Sequence, residues 1–187
     1  MDKKQEYEAM REKKISSKEV FKGQVLDVFD DEIELPDGRH SHREVIRHCQ
    51  AAAILAFNNK GEVLLEDQFR YPYDSILTEI PAGKADPNED PLTTARRELE
   101  EETGYQAKQM EELGLFYPSV GYTDEVIHLF VASDLVKTHQ HLDEGEYLSY
   151  YFLPLKEVLK KAENGEINDG KTIAALFYYL LKTKKIA

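Results

Sequence analysis

The residues best placed to do chemistry are the glutamates in the segment GKADPNEDPLTTARRELEEETGY, residues 83–105. On an α-helix, at about 100° per residue, Glu98, Glu101 and Glu102 share an arc of roughly 100°. Neighbouring carboxylates repel one another, and hard divalent ions such as Mg²⁺ prefer oxygen ligands. The pattern therefore predicts a helix over residues 90–103 that carries a divalent-metal site, or else an exposed helix held by Glu–Arg ion pairs.

The surroundings of these glutamates suit a metal site. Arg97 can offset part of the negative charge and orient a glutamate with its planar guanidinium. The loop before the helix contains Gly83 and Pro87 and can bring backbone carbonyls towards a metal. The apolar positions, which border the acidic arc and predict the buried side of the helix, are Leu92, Ala95 and Leu99.

The apolar pattern on either side of this helix predicts the strands that must position it. Alternation over residues 20–46, around a Pro36-Asp37-Gly38 turn, indicates a small antiparallel sheet. The apolar run 51–57 is typical of a central strand, and a turn leads from it into a returning strand over 63–69. Strands mixed with helices predict an α/β or α+β layered fold. The other predicted elements are a helix or loose arm over 1–18, a strand end that runs into a loop at 79–83, strands over 114–117, 126–132 and 147–153, and helices over 154–164 and 170–183.

Composition limits the class of function. The chain of 187 residues corresponds to about one domain. Asp and Glu outnumber Lys and Arg by 36 to 24, and this net charge of −12 argues against nonspecific binding to nucleic acid or to an anionic membrane. The single cysteine, Cys49, and the polar first residues predict a cytoplasmic protein without an intrachain disulfide or a signal peptide. The histidines lack the spacing of zinc ligands.

The glutamate-rich segment also resembles a known family. Its fixed spacing is similar to the Nudix signature, with a mild departure at the last position, which is usually aliphatic. The matching residues are Gly83, Glu89, Arg97, Glu98, Leu99, Glu101, Glu102, Gly104 and Tyr105. The resemblance implies a Nudix-type α/β/α sandwich with a mixed central sheet and an N-terminal antiparallel sheet arm. It also implies a single domain over 1–187, with an arm over 1–47 and a core over 48–187.

The same resemblance implies a cofactor and its ligands. Nudix hydrolases use Mg²⁺, for which Mn²⁺ can substitute, to cleave diphosphate linkages. The implied metal ligands are the carbonyl of Ala82 and the carboxylates of Glu98, Glu101 and Glu102. Arg97 would orient a carboxylate of the helix rather than take part in bond breaking.

Further segments resemble the ADP-ribose pyrophosphatase branch of this family. They are residues 66–70, 79–83, 117–125 and 168–172. The resemblance implies that a homodimer hydrolyses ADP-ribose, a small nucleoside diphosphate derivative, to AMP and ribose 5-phosphate. In that branch the substrate lies between the two chains. The implied substrate-binding residues are Arg43, Arg70, Glu44, Glu125, Gln24 and Val25.

An acidic loop over residues 141–146 supplies the implied catalytic base. By itself the loop is typical of an exposed turn before a strand. In the ADP-ribose branch a glutamate of this loop moves in as the base, and Glu144 matches that position best, with Glu146 beside it. Gly145 between them would permit the movement. The implied catalytic set is therefore Glu144, Glu146, Glu101 and Arg97.

Other functions are compatible with the same residues. Val120 stands where the ADP-ribose branch usually has a proline, so a nucleoside diphosphate sugar such as GDP-mannose or UDP-glucose is an alternative substrate. A non-catalytic nucleotide-binding Nudix module would be expected to lack some of the carboxylates, and none is missing. A plain acidic interaction protein would gain no stability from Mg²⁺ with a nucleotide.

Several polar residues have a structural role as their alternative. Arg43 and Arg70 could form ion pairs on strands instead of binding substrate. His40, His42 and His48 are expected on strand faces with structural hydrogen bonds, rather than as metal ligands or acid–base groups.

Overall fold

The described residues form four α-helices and ten β-strands. A computed structural model describes residues 2–184. Its helices are α1 (Lys3–Glu8), α2 (Pro91–Thr103), α3 (Leu155–Glu163) and α4 (Gly170–Lys182), with a short 3₁₀ turn at Tyr71–Tyr73. Its strands are β1 (Lys13–Lys22), β2 (Asp27–Glu34), β3 (His40–Arg47), β4 (Ala51–Ala56), β5 (Glu62–Arg70), β6 (Ser75–Glu79), β7 (Ala82–Lys84), β8 (Tyr105–Phe116), β9 (Ile127–Lys137) and β10 (Leu148–Pro154).

The chain divides into two compact units, of which the first ends at His48 and also includes Ser119–Glu125. Strands β1, β2 and β3 form an antiparallel sheet in that order. The turn between β2 and β3 contains Gly38 with a φ of 84°, a conformation that glycine adopts without strain. The antiparallel N-terminal sheet that the alternation predicts is therefore confirmed.

The second unit comprises Cys49–Pro118 and the chain from Val126 onward, and it contains two sheets. One is mixed, in the order β7-β4-β9-β8, with β4 and β9 parallel. The other is antiparallel, in the order β10-β5-β6.

Strand β4 gives the second unit a core on both sides of its mixed sheet. All six of its residues are buried, and successive side chains of a strand point to opposite faces. Ile54 belongs to an apolar cluster that includes residues of α2, whereas Leu55 belongs to a cluster that includes residues of α3 and α4. Helices thus cover both faces of the sheet, as the predicted α/β/α layering requires.

The N-terminal and C-terminal predictions differ in accuracy. The helices predicted over 154–164 and 170–183 are confirmed to within about a residue as α3 and α4. Strand β1 lies partly in the stretch predicted as a helix or loose arm. All its residues are exposed, so its sequence has no burial pattern that would predict a strand. In the described residues, no helix is long and apolar enough to cross a membrane.

Two strands of the mixed sheet were not predicted correctly from the sequence. Strand β8 extends over Tyr105–Phe116, far beyond the predicted strand over 114–117, because it is held by its ladder to β9 and buries only Ala107. Strand β7 is short, and it lies where the sequence predicts a loop. Its pairing with β4 places Ala82 opposite Ala53 in the sheet.

Candidate active site

Helix α2 begins and ends at the residues that its sequence indicates. The side chain of Asp90 accepts hydrogen bonds from the backbone N–H groups of Leu92 and Thr93, each at 3.1 Å. Pro91 follows at the first helical position, where its missing N–H costs nothing. Gly104 ends the helix with a φ of 65°. The predicted helix over 90–103 is confirmed.

One side of α2 is buried against the mixed sheet, and this fixes where the glutamates lie. Ala95 and Leu99 are fully buried in the cluster that includes Ile54 of β4. Glu102, one turn beyond Leu99, is carried into the edge of the core and is only 3% exposed. Leu92 was predicted on the same buried side but is exposed, because burial of α2 begins after its first turn.

Residues at the start of β7 meet the glutamates of α2. The backbone N–H of Ala82 donates a hydrogen bond to Glu102 Oε2 at 2.9 Å. A Cβ atom at Gly83 would collide with the carboxylate of Glu98, so only glycine allows this approach. Ala82, Glu98 and Glu102 of the predicted metal set therefore lie together.

Arg97 links the glutamates on the outer side of this group. Its Nη1 donates to Glu98 Oε1 at 2.8 Å and to Glu101 Oε2 at 2.9 Å. Its Nε and Nη2 donate to the two carboxylate oxygens of Glu89 at 3.1 and 2.9 Å. The hydrogen bond from Arg97 lowers the pKa of Glu89 to about 2. One guanidinium thus fixes three carboxylates, all of which belong to the signature.

The inner glutamates carry more negative charge than nearby cations balance. Burial raises the pKa of Glu98 to about 7, although the charge of Arg97 opposes the shift. Burial also raises the pKa of Glu102 well above its ordinary value, and the charges of Glu66, Glu98 and Glu146 add to that effect. A bound cation would relieve this repulsion.

Glu66 is a member of this group that the sequence analysis did not identify. It lies in β5, is fully buried, and within residues 2–184 neither of its carboxylate oxygens has a hydrogen-bond partner. Burial raises its pKa to about 8, partly opposed by the charge of Lys171. The available signal was an acidic residue directly after the buried run Val63–Leu65, since a charge in a buried strand requires a partner.

The donor set fits a hard divalent cation. In the part of the chain described, no three His, Cys, Asp or Glu side chains form a group that could hold a metal ion as they stand. The inner residues nevertheless offer only oxygen donors, and Glu66 has two orphaned oxygens beside them. An excess of carboxylate oxygens over the nearby cations is the chemistry that suits Mg²⁺ or Mn²⁺.

The acidic loop contributes Glu146 to the same place. Asp143 and Glu146 line a cavity of about 280 Å³ together with Glu98, Glu101 and Glu102 of α2. Gln68 Nε2 donates to Glu146 Oε1 at 3.4 Å. Glu144 is exposed and is not among the residues that line this cavity. The structure therefore brings Glu146, rather than Glu144, to the glutamates of α2.

The segment that leads to the acidic loop is bound to the C-terminal end of α2. The backbone N–H groups of Thr138 and His141 donate to the carbonyls of Gly104 and Glu101 at 2.8 and 2.9 Å. Gln140 Nε2 donates to the carbonyl of Glu102 at 2.6 Å, and Lys137 Nζ donates to that of Thr103 at 3.0 Å. These contacts satisfy carbonyls that a helix end leaves without partners.

Most of the predicted substrate-binding residues belong to the first unit. Arg43 and Glu44 line a cavity of about 750 Å³ there, and Arg43 Nε donates to Glu12 Oε2 at 3.0 Å. Gln24 and Val25 lie in the turn between β1 and β2. Glu125 lies in the 119–125 segment, 3.6 Å from His48 Nδ1. Arg43 and Glu44 thus line one cavity, whereas Gln24, Val25 and Glu125 are not among its lining residues.

The remaining polar candidates form separate contacts. His40 Nδ1 lies 3.0 Å from Glu32 Oε1, and His42 Nδ1 lies 2.9 Å from Asp30 Oδ1, so the prediction of structural hydrogen bonds is confirmed for both. Arg70, in the second unit, forms a two-pronged ion pair with Glu79.

Two family models match adjoining parts of the chain. A family model of the NUDIX domain matches residues 47–176. A family model of the nucleoside diphosphate sugar hydrolase N-terminal domain matches residues 12–46. Together the two matches extend over nearly all of the described chain.

Individual relatives cover the chain almost completely. It is 40% identical over 176 residues to an ADP-ribose pyrophosphatase of Bacillus subtilis (strain 168), with 93% of this chain and 95% of the relative covered. It is 43% identical over 173 residues to the methanol dehydrogenase activator of Bacillus methanolicus, with 91% and 94% covered. A crystal structure of an ADP compounds hydrolase shares the fold, with a TM-score of 0.84, 22% identity and coverage of 94% of this chain and 95% of that one.

Proposed function

Because the chain belongs to the Nudix family, we propose that it hydrolyses the diphosphate linkage of ADP-ribose to give AMP and ribose 5-phosphate. The observation that carries this proposal is the grouping of Glu98 and Glu102 against Ala82 and Gly83, with Arg97 fixing the outer carboxylates. The relative named ADP-ribose pyrophosphatase, which matches along nearly the whole chain, supports the choice of substrate.

We further propose Mg²⁺ as the cofactor, with Mn²⁺ able to replace it. The groups that would hold it are the carbonyl of Ala82 and the carboxylates of Glu98, Glu101 and Glu102. When bound, the cation neutralises the diphosphate and acts as a Lewis acid on it. Arg97 keeps Glu98 and Glu101 in place through hydrogen bonds of 2.8 and 2.9 Å, so its role is to orient ligands.

The proposed base is Glu146. Its carboxylate shares the small cavity with the glutamates of α2, whereas the side chain of Glu144 is exposed outside it. A water molecule adds across one P–O bond of the diphosphate, its proton passes to Glu146, and the bridging oxygen leaves with the other phosphate. Glu144 remains the second candidate, because Gly145, with a φ of 86°, lies between the two in a turn that can rearrange.

The first unit is proposed to complete the substrate site within a homodimer. Strand β1 is exposed along its whole length and carries large apolar side chains, among them Ile15, Val20 and Phe21. Large apolar side chains that are exposed along one strand can be covered by a partner chain. We propose that the whole chain acts as one Nudix hydrolase domain, in which Arg43, Glu44, Gln24, Val25 and Glu125 of the arm side join Arg70 in binding the substrate.

A nucleoside diphosphate sugar is the second candidate substrate. The match of residues 12–46 to the nucleoside diphosphate sugar hydrolase N-terminal domain favours it. Val120, which replaces the proline usual in the ADP-ribose branch, is 83% exposed and so free to contact a ligand. The cation and base chemistry would be the same for both substrates.

The test is parallel hydrolysis of ADP-ribose, GDP-mannose, UDP-glucose and a diadenosine polyphosphate, with Mg²⁺ and with chelator. We expect Mg²⁺-dependent turnover that is fastest for ADP-ribose. Faster cleavage of a nucleotide sugar would replace the proposed substrate and keep the mechanism. Absence of turnover for every compound, with nucleotide binding retained, would instead identify a non-catalytic nucleotide-binding module.

A further inference from the structure

A second charged group in the second unit borders a cavity of about 500 Å³. Arg70 and Lys171 both lie at this cavity, and both bind the carboxylate of Glu79. The side chain of Arg70 is 37% exposed and that of Lys171 only 11%, so Arg70 is the cation that a ligand can reach. The other lining residues are Tyr73, Ser75, Leu77, Asn168, Asp169 and Gly170.

Glu79 holds Arg70 in one orientation. Arg70 Nε and Nη2 donate to Glu79 Oε1 and Oε2, each at 2.7 Å, so that Nη1 takes no part in this ion pair. Burial by itself would raise the pKa of Glu79, but the hydrogen bonds from Arg70 and the charge of Lys171 outweigh it and the pKa is lowered. Glu79 is therefore an anion whose position depends on its two cations.

Lys171 is held in turn by the start of α4. Its Nζ contacts Glu79 Oε2 and lies 3.2 Å from Asp169 Oδ1. Asp169 caps the helix by accepting the N–H of Thr172 at 2.9 Å. The hydroxyl of Thr172 accepts the N–H of Ile80 at 3.0 Å, which binds the helix start to the residue after Glu79.

We propose that Lys171 is a positioning residue for the substrate: it fixes Glu79, and Glu79 presents the guanidinium of Arg70 to an anionic ligand in the cavity. The inference rests on the proposed function in one respect, namely that Arg70 binds a phosphate-bearing substrate. An arginine fixed before binding loses less side-chain entropy when it pairs with a phosphate. Removal of Lys171 leaves the carboxylate of Glu79 without one of the two cations that fix it, so its orientation is no longer unique and the hydrogen bond from Arg70 Nε is lost part of the time.

The test compares Lys171→Met with the conservative variant Lys171→Arg. Lys161→Met is the matched control, because Lys161 also pairs with a glutamate, Glu166 at 2.6 Å, but does not line this cavity. Binding of ADP-ribose is measured by calorimetry in chelator, where turnover is prevented. We expect Lys171→Met to weaken the Kd by about tenfold, while Lys171→Arg and the control stay within about twofold of wild type. In Mg²⁺ kinetics, KM should rise and kcat should stay nearly constant.

A second measurement separates failure of this inference from failure of the proposed function. The NMR signal of the Arg70 Nε–H group reports whether its hydrogen bond to Glu79 persists, with or without any ligand. We expect a protected signal in wild type that exchanges rapidly in Lys171→Met, at equal thermal stability of the remaining fold. An unchanged signal in Lys171→Met would overturn the inference. If the wild-type protein did not bind ADP-ribose, the proposed function would be overturned. The Arg70 signal would still decide the role of Lys171.

Discussion

Two groups of buried or half-buried carboxylates lie in the second unit: Glu79 with its two cations, and Glu66 with Glu98 and Glu102. They differ in how the negative charge is balanced. Glu66 and Glu79 are paired residues on neighbouring strands, and both are at most 1% exposed. The pKa of Glu66 is raised to about 8 mainly by burial, whereas that of Glu79 is lowered because Arg70 and Lys171 outweigh its burial. Burial alone therefore does not decide the charge of a carboxylate here; the presence of contacting cations does.

The difference separates a structural ion network from a site that needs a ligand. Around Glu79 the chain supplies its own positive charge, down to the lysine at the start of α4. Among residues 2–184, the guanidinium in contact with the group of Glu66, Glu98 and Glu102 is that of Arg97, which reaches Glu98 but not the other two. Native folds retain an unbalanced buried charge where function requires it. A divalent cation would complete the second group.

The largest effect is expected from removing one of the uncompensated charges. Glu102→Gln should lower kcat by roughly a thousandfold, since the loss of a metal ligand removes several kcal/mol of transition-state stabilisation. Steady-state kinetics on ADP-ribose with Mg²⁺ measure this. Glu100→Gln is the matched control on the same helix, because the side chain of Glu100 accepts its hydrogen bond from Gln106 Nε2, at 2.8 Å, rather than from a residue of the proposed metal site. Unchanged turnover in Glu102→Gln would refute the metal assignment.

The next prediction decides which loop glutamate belongs to the unbalanced group. Glu146→Gln should reduce kcat by about a hundredfold or more with KM nearly retained, as expected for loss of a general base. Glu144→Gln, a change of the same charge two residues away, should have an effect of less than about threefold. The reverse order would show that the loop rearranges on substrate binding and that Glu144 supplies the base.

The contrast between Glu66 and Glu79 predicts a pH dependence of stability in the metal-free protein. A carboxyl whose pKa is 4.5 unfolded and about 8 folded binds its proton more tightly in the folded state. Stability is therefore highest below pH 4.5 for this group and falls as the pH rises towards 8, by on the order of 4 kcal/mol. Urea unfolding in chelator between pH 5 and 8 measures this decline.

Two comparisons test whether Glu66 causes that decline. Glu66→Gln should make the decline less steep, with the remainder due to Glu98 and Glu102, and should make the metal-free protein more stable than wild type at pH 8. Addition of Mg²⁺ should restore stability to wild type at pH 8, since a ligand at 100 times its Kd adds about 2.7 kcal/mol. A profile for Glu66→Gln that falls as steeply as that of wild type would assign the decline to other groups.

The features that the sequence predicted depend on residues that are close together in the chain. Helix α2 carries its own start and stop signals in Asp90, Pro91 and Gly104, and helical geometry alone places Glu98 beside Glu102. The apolar run of β4 likewise identifies a strand that is buried on both faces. Such signals can be recognised in the sequence because each depends only on residues within a turn or two of the chain.

What the sequence did not predict depends on contacts between distant segments. Strand β8 buries one residue and exists because β9 pairs with it, so its own pattern gives no signal. Glu66 joins the glutamates of α2 from another strand, and Gln140 reaches the carbonyl of Glu102 from 38 residues away. The choice of Glu146 over Glu144 likewise follows from the path of a loop, which composition does not determine.

The smallest expected effect concerns how the base is attached to the glutamate helix. The ion network at Glu79 is held by the side chains of Arg70 in β5 and Lys171 in α4, whereas the loop segment 137–141 is held by carbonyls at the end of α2. Gln140→Leu removes one such contact and should lower kcat by about threefold to tenfold, with KM and the Kd for Mn²⁺ unchanged, because the base is less well positioned while the metal ligands stay in place. Gln109→Leu, an exposed glutamine-to-leucine change on β8, is the control. If Gln140→Leu instead weakened Mn²⁺ binding, this contact would order the end of α2 rather than the loop. The Glu79 network and the glutamates of α2 would then differ in their balance of charge, and not in how they are attached.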